Sequence, residues 1–387
     1  MKPRIYLDNS ATTRIDDQVL DAMLPYLRER FGNASSIHAF GQEARAAVEE
    51  ARQAVADLVG AEPRELVFTS GGTESDNMAL WGVLRSGYRP GNHIITSRIE
   101  HPAVLATCKA LEEAGAEVTF LPVDSSGRVD PERVAAAIND RTILITIMHA
   151  NNETGAIQPI EEIGRMARDR GILLHTDAVQ SAGKIPVHVG RLGVDLLSLS
   201  GHKFHAPKGS GALYIRAGVR LKPFLTGGSH ERRRRAGSEN VPAVVGLGAA
   251  SRLAQRRLPE MSSRVAVLRD RLQERIRTGI PGVRINGSVE HRLPIVTNLA
   301  FDGLEGEAAV IALDLAGVAV STGSACSSGS LEPSHVLMGM GLRAEVVQGS
   351  LRFSLSCHTT AEEIDSAAEV IADTVNRLRR LARRGRG

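Results

Sequence analysis

Residues 172–203 read ILLHTDAVQSAGKIPVHVGRLGVDLLSLSGHK. The runs ILLHTD (172–177) and DLLSLS (195–200) are apolar and of strand length. The first closes on Asp177; the second runs into Ser200-Gly201-His202-Lys203. Outward from this pair the pattern recurs in LVFTS (66–70), HIITS (93–97), VTFL (118–121), TILITIM (142–148) and GALYI (211–215). Helical patterns separate most of these runs: residues 41–60 carry Ala44, Ala47, Val48, Ala51, Val55, Leu58 and Val59 on one face, and Glu161–Arg170 is a second case. Strand–helix alternation of this kind predicts an α/β chain whose mainly parallel central sheet is buried under helices. Ligands of such sheets bind beyond the carboxyl ends of the strands, so the residues following each run are the candidates for function.

The second half changes character. A polar helix is expected over about 259–278, short strands at 297–301, 318–320 and 350–355, and a last helix over about 360–382. These describe a smaller α+β domain, with the N-terminal DNSATT packed near it. The expected division is a large domain of residues 16–256 and a small one of 1–15 with 257–387. With 42% hydrophobic and 24% charged residues, the 387-residue chain has the balance of a soluble globular protein. A net charge of +3 gives no electrostatic case for nucleic acid, and no apolar run is long enough to span a bilayer. Three scattered cysteines and no secretory leader point to the cytoplasm.

At the strand ends, LVFTS leads into Gly71-Gly72-Thr73 and a helix start. That arrangement is an anion site for a phosphate, or a plain turn with Thr73 as N-cap. Asp177 is a counter-charge for a protonated ring nitrogen, or a turn cap. Lys203 can form an imine through its amine; Lys208, in a Pro/Gly turn, is the rival. His101, after HIITS, is open to ring stacking, to acid/base work or to starting a helix before Pro102. Asn152 follows TILITIM, where Asn pairs also make turns. A phosphate cradle, an Asp, a Lys, a His and an Asn at the ends of one sheet specify pyridoxal phosphate. A dinucleotide fold is excluded, because no GxGxxG follows a strand with an acid about 20 residues on.

Residues 321–330, STGSACSSGS, are Ser, Thr or Gly at eight of ten positions and place Cys326 in an expected exposed loop. Cys108 has the spacing of a core residue, Cys357 reads as packing, and the run Arg232–Arg235 reads as solvated charge. A thiol on such an arm beside pyridoxal phosphate makes a resemblance specific. With YLDNSATT, FGNASSIH, FTSGGTESDN, HANNETGAIQPI, HTDAVQSAGK, SLSGHKFHAPKGSGALYI, GGSHERRRRAGSEN and SLRFSLS, the chain resembles the cysteine desulfurases of the class V aminotransferases, the nitrogen-fixation and iron–sulfur cluster type.

The resemblance implies a type I pyridoxal-phosphate-dependent transferase fold and conversion of L-cysteine to L-alanine. Sulfur would move onto Cys326 as a persulfide, for iron–sulfur cluster assembly or other sulfur transfer. It assigns Lys203 as the Schiff-base lysine, with Gly72, Thr73, Ser200 and His202 on the phosphate. Asp177 would meet the pyridine nitrogen, Gln180 the ring hydroxyl and His101 the ring face, with His101 helping to form the thiolate. Asn152 and Arg352 would hold the substrate carboxylate, Asn152 counting also among the cofactor residues. Ser238 would reach the phosphate in a partner subunit, which implies a homodimer. The persulfide acceptor would be an iron–sulfur scaffold or a sulfur-relay protein, with Cys326 a transient cluster ligand through its persulfide. Cysteine and selenocysteine are not distinguished by these motifs. A non-enzymatic metal or cluster carrier is the poorer reading, since one cysteine with no CxxC is a weak ligand set.

Overall fold

The computed structural model describes residues 4–322 and 333–384. The expected runs become β2 (Leu66–Thr69), β3 (His93–Ser97), β4 (Glu117–Leu121), β5 (Thr142–Thr146), β6 (Leu173–Asp177), β7 (Leu196–Ser200) and β8 (Gly211–Ile215), after a short β1 (Ile5–Tyr6). They form a seven-stranded sheet in the order β2-β8-β7-β6-β5-β3-β4. The pairs from β4 through β7 are parallel, whereas β8 runs antiparallel to both β7 and β2.

The sheet is buried on both faces because alternate residues on its strands are apolar toward each side. Leu66, Phe68, Ile95, Ile145, Leu174, Leu197 and Tyr214 enter one core. Their neighbours Val67, Ile94, Leu144, Leu173, Leu196 and Leu213 enter the core on the opposite face. The helix Ala39–Val59 covers the first face and ends on Gly60, whose φ of 67° is the left-handed cap that glycine adopts without strain.

A third core gathers Leu7 with residues from Met261 onward. It packs on the antiparallel sheet of β9 (Val283–Asn286), β10 (Val296–Phe301) and β12 (Ser350–Ser354), with β11 (Val318–Ala319) paired to β1. The strand β9 had no clear signal in the sequence, its burial being only partial. The polar helix expected from 259 is the second half of a longer rod. Helix Val241–Glu260 passes through Pro259 into a π-turn, Met261–Val265, and then helix Ala266–Gly279. Past the proline, the Pro259 carbonyl accepts from the Ser262 and Ser263 hydroxyls at 3.1 and 2.9 Å. Among the described residues, no helix is long and apolar enough to cross a membrane.

The arginine run meets expectation only in part. Glu231, Arg232 and Arg233 take positive φ values of 44°, 56° and 66°. Glu231 is buried in a two-pronged pair with Arg52, both contacts at 2.8 Å, and Arg235 grips Glu74. Arg232 and Arg233 are exposed, as solvated charge, while the corner that carries them is anchored on either side by the Glu231–Arg52 and Arg235–Glu74 pairs.

Candidate active site

The cleft lies at the carboxyl ends of β2, β5, β6 and β7, where parallel strands leave free loop starts. It has a volume of ≈ 250 Å³ and brings together Gly72, Thr73, His101, Asn152, Asp177, Gln180, Ser200, His202, Lys203 and Arg352. Ser238 does not join them. It lines a separate cavity of ≈ 200 Å³ beside Ser70 and Glu239. Cys326 lies outside the described residues. The segments flanking it are anchored beside the cleft: Ser321 exchanges backbone hydrogen bonds with Arg352, and His335 Nε2 lies 2.9 Å from the Glu100 carbonyl.

At one end, helix Gly72–Ser86 points its first turn into the cleft. Its N-cap is Gly71 rather than Thr73, with φ 152°, a conformation that residues with a Cβ rarely adopt. A Cβ on Gly72 would sit 2.7 Å from Val179 Cγ2. Backbone N–H groups are therefore open to an anion at a helix N-terminus, with the Thr73 and Ser200 hydroxyls alongside. His202 Nδ1 is 3.1 Å from Thr12 Oγ1, and burial and Lys203 hold its pKa down to about 4.

Further in, β6 delivers Asp177, whose Oδ1 accepts the Val179 N–H at 2.9 Å. Burial pushes its pKa up to about 6, opposed by that hydrogen bond and by the charges of Lys203 and Lys184. Asp76 lies beside it. Burial and then the Asp177 charge push Asp76 well above the usual carboxylate range, so it keeps its proton and Asp177 is the anion of the two. A buried carboxylate of this kind suits a cationic ring nitrogen. The donor set, from helix N-terminus to carboxylate, thus fits pyridoxal phosphate.

The N-terminal segment closes over these residues. Lys203 Nζ donates to the carbonyls of Ser10 and Ala11 at 2.8 and 2.7 Å. Arg352, buried on β12, donates to the Asn152 carbonyl at 3.0 Å and to Asp8 Oδ1 at 2.7 Å. The guanidinium is thus already shared with Asp8. His101 is both the helix N-cap and a cleft residue: its Nδ1 accepts the Ala103 N–H at 3.1 Å. Burial and Lys203 hold it down to about 4, so it is neutral and carries its proton on Nε2. In this tautomer Nε2 is the ring's donor atom.

Sequence reasoning assigned no role to three supporting residues. Lys184 is buried and donates to Gln180 Oε1 at 2.9 Å, while Gln180 Nε2 donates to the Ser10 carbonyl at 3.0 Å. These contacts fix which way the amide faces. Glu100 accepts from Ser97 Oγ and the Met148 N–H, and burial pushes it up to about 8. Asp8 pairs with Arg352. Their one signal was a charge within or beside an apolar stretch of a quoted motif.

Comparison with known proteins places the chain among close relatives. The family model for aminotransferase class-V matches residues 5–366. A protein of Methanosarcina thermophila named cysteine desulfurase IscS is 51% identical, covering 98% of this chain and 93% of its own length. Another of that name, from Dictyoglomus turgidum, is 50% identical over 99% of this chain and 97% of its own. Among solved structures, a NifS-like protein superposes with a TM-score of 0.91 at 39% identity, covering 97% of this chain and 100% of that one. A structure described as SspA in complex with cysteine superposes at 0.82 with 37% identity, covering 92% and 100%.

Proposed function

Because the chain belongs to the aminotransferase class-V family, we infer that its cleft is the active site of a pyridoxal-phosphate-dependent cysteine desulfurase. The enzyme converts L-cysteine to L-alanine and passes on the sulfur. The observation that carries the reading is the meeting of Lys203, Asp177 and Arg352 in one cleft, with a helix N-terminus at its far end.

Pyridoxal phosphate, when bound, supplies an electron sink that makes the substrate Cα proton acidic and weakens the Cβ–S bond. Lys203 Nζ would hold the cofactor and, as a free amine, is the base placed to take the Cα proton. Its two backbone carbonyl partners give the free amine a fixed resting place. Asp177 holds the ring's positive charge. Arg352 and Asn152 orient the substrate carboxylate, and His101 Nε2 donates a proton. The Cys326 thiolate attacks the substrate sulfur. The Sγ–S bond forms and the Cβ–S bond breaks with its electron pair left on carbon; one proton at Cβ, and the Cα proton given back by Lys203, complete alanine. The persulfide then goes to an iron–sulfur scaffold or a sulfur-relay protein in the cytoplasm, with Cys326 a transient cluster ligand through it. Alanine release from L-cysteine, with one added sulfur on the Cys326 peptide by mass spectrometry, tests this. Alanine without any labelled cysteine peptide would overturn the persulfide step.

Cofactor uptake should depend on pH in a way that follows from Asp177. Its raised pKa of about 6 means the counter-charge is present above that pH and lost below it. Pyridoxal phosphate affinity, followed by absorbance titration, should fall as pH drops from 7 to about 5. Asp177→Asn should flatten that profile at the weak-binding level. A profile unchanged by the substitution would remove Asp177 from the ring nitrogen.

The proposed assembly is a homodimer, with Ser238 of the partner subunit completing the phosphate site. Support comes from the placement of Ser238 outside its own chain's cleft and from the exposed Leu27, Phe31, Ile37 and Phe40, the largest exposure being 91% at Ile37. Sedimentation should give a dimer, and Ser238→Ala should weaken cofactor binding roughly tenfold, about 1.4 kcal/mol for one lost hydrogen bond to a charged group. A fully active monomer would sink the arrangement.

A further inference from the structure

Behind Lys203, on the side away from the cleft, the turn after the lysine meets the turn after β12. His205, Cys357 and His358 each offer a ligand atom there, all within 4.8 Å of one another. The Cys357 Sγ lies 3.5 Å from His205 Nε2. Two ligands of one tetrahedral zinc ion, at ~2.3 Å for sulfur and ~2.0 Å for nitrogen, stand about 3.5 Å apart. The spacing already matches a shared ion.

Both imidazoles are held as metal ligands are held, each with one nitrogen on an outer acceptor. His205 Nδ1 is 2.9 Å from the Arg14 carbonyl, which leaves the Nε2 lone pair directed at the thiol. His358 Nε2 is 3.3 Å from Asp16 Oδ2, which leaves Nδ1. His205 is further fixed by its backbone, whose N–H donates to Thr13 Oγ1 at 2.8 Å and whose carbonyl accepts the Asp16 N–H at 3.1 Å. These contacts hold it at φ 71°, a left-handed conformation that costs a non-glycine residue roughly 1–2 kcal/mol. A cavity of ≈ 30 Å³ adjoins His205 and Cys357, with Arg257 and Lys203 also on its wall and apolar side chains such as Leu253 and Leu355 making up most of the rest. That is about the volume of one water molecule in the liquid. The His358 side chain is 44% exposed, so the cluster has a way in from solvent.

We propose that His205, Cys357 and His358 form a binding site for one borderline-soft divalent cation of the zinc class. Two imidazoles and a thiolate select such an ion over calcium or magnesium, and three protein ligands leave a fourth position for water or an exogenous thiol. On binding, the Cys357 thiol gives its proton to solvent and the sulfur–metal bond forms. Arg257, 3.7 Å from the sulfur, is already paired with Asp16 at 2.7 Å and shares the thiolate without opposing the ion as a lone charge. The ion would clip the segment that follows Lys203 to the one that follows Arg352, and so join the two parts of the chain that carry the cofactor amine and the substrate-binding guanidinium.

The test uses cofactor-loaded chain carrying Cys326→Ser, so that the loop thiol cannot supply a ligand. After chelator treatment it is dialysed against micromolar Zn²⁺, and separately titrated with Co²⁺. One Zn²⁺ per chain and a thiolate-to-cobalt charge-transfer band are expected. Adding Cys357→Ser should abolish the band. His358→Gln, at an exposed position that the fold tolerates, should weaken Zn²⁺ retention at least about tenfold. No retained Zn²⁺ in the Cys326→Ser chain, or equal retention with Cys357→Ser and His358→Gln, would overturn the site.

Discussion

A Lys203→Ala chain should lose the visible absorbance of attached pyridoxal phosphate and at least about 10³-fold in alanine production, since it loses both the covalent anchor and the proton-transferring amine. The cofactor should still enter the cleft, because the helix N-terminus at Gly72 and the Asp177 carboxylate remain. Retention by ultrafiltration should therefore fall far less than activity. Lys203 donates at 2.8 and 2.7 Å to the Ser10 and Ala11 carbonyls; on its removal Ser10 keeps the Gln180 amide as donor, and the half-buried Ala11 carbonyl loses this one. A loss of about 1 kcal/mol in stability is expected from that alone. Measuring the melting transition beside activity separates the two effects. A Lys203→Ala chain that keeps the attached-cofactor absorbance, with modification at Lys208 by mass spectrometry, would assign the anchor to the wrong lysine.

The second large effect is expected at Cys326. A Cys326→Ser chain should bind the cofactor as the parent does and still change its absorbance on adding L-cysteine. It should release sulfur at least about 10³-fold more slowly, because a hydroxyl is a far weaker nucleophile toward sulfur than a thiolate. Cys108 cannot replace it: it is buried in the core under the sheet, and burial pushes its thiol up to about 12. Cys357 cannot either, since burial raises it as well and it sits on the far side of Lys203. Parental turnover with serine at 326 would show that the sulfur leaves by another route.

The central sheet was legible because its signal is local. Runs such as DLLSLS turn leucines toward both cores, and their polar ends mark where a parallel sheet must open its ligand site. Asp177, Lys203 and His101 could be singled out for the same reason: Asp177 closes its strand, and the other two follow theirs within about one turn. Cys108 as core followed from helical spacing alone. The motifs carried the family, and with it Gln180 and Arg352, which no periodicity would have selected.

What the sequence could not provide depends on residues far apart in the chain. Arg352 and Asp8 are 344 positions apart and become one part-buried ion pair only when β12 and the N-terminal segment close on the sheet. The proton on Asp76, the proton on Glu100 and the facing of the Gln180 amide follow from burial and from neighbours that the fold supplies. Cys357, read as packing, meets His205 across 152 positions, and the arginine run is tied down by Glu49 and Glu74. Sequence determined the strands, the chemistry at their ends and the family, because those are written in short-range pattern. Tertiary structure decided which charges are neutralised, which tautomer His101 holds and which side chains share a site, because desolvation and long-range contact exist only in the folded chain.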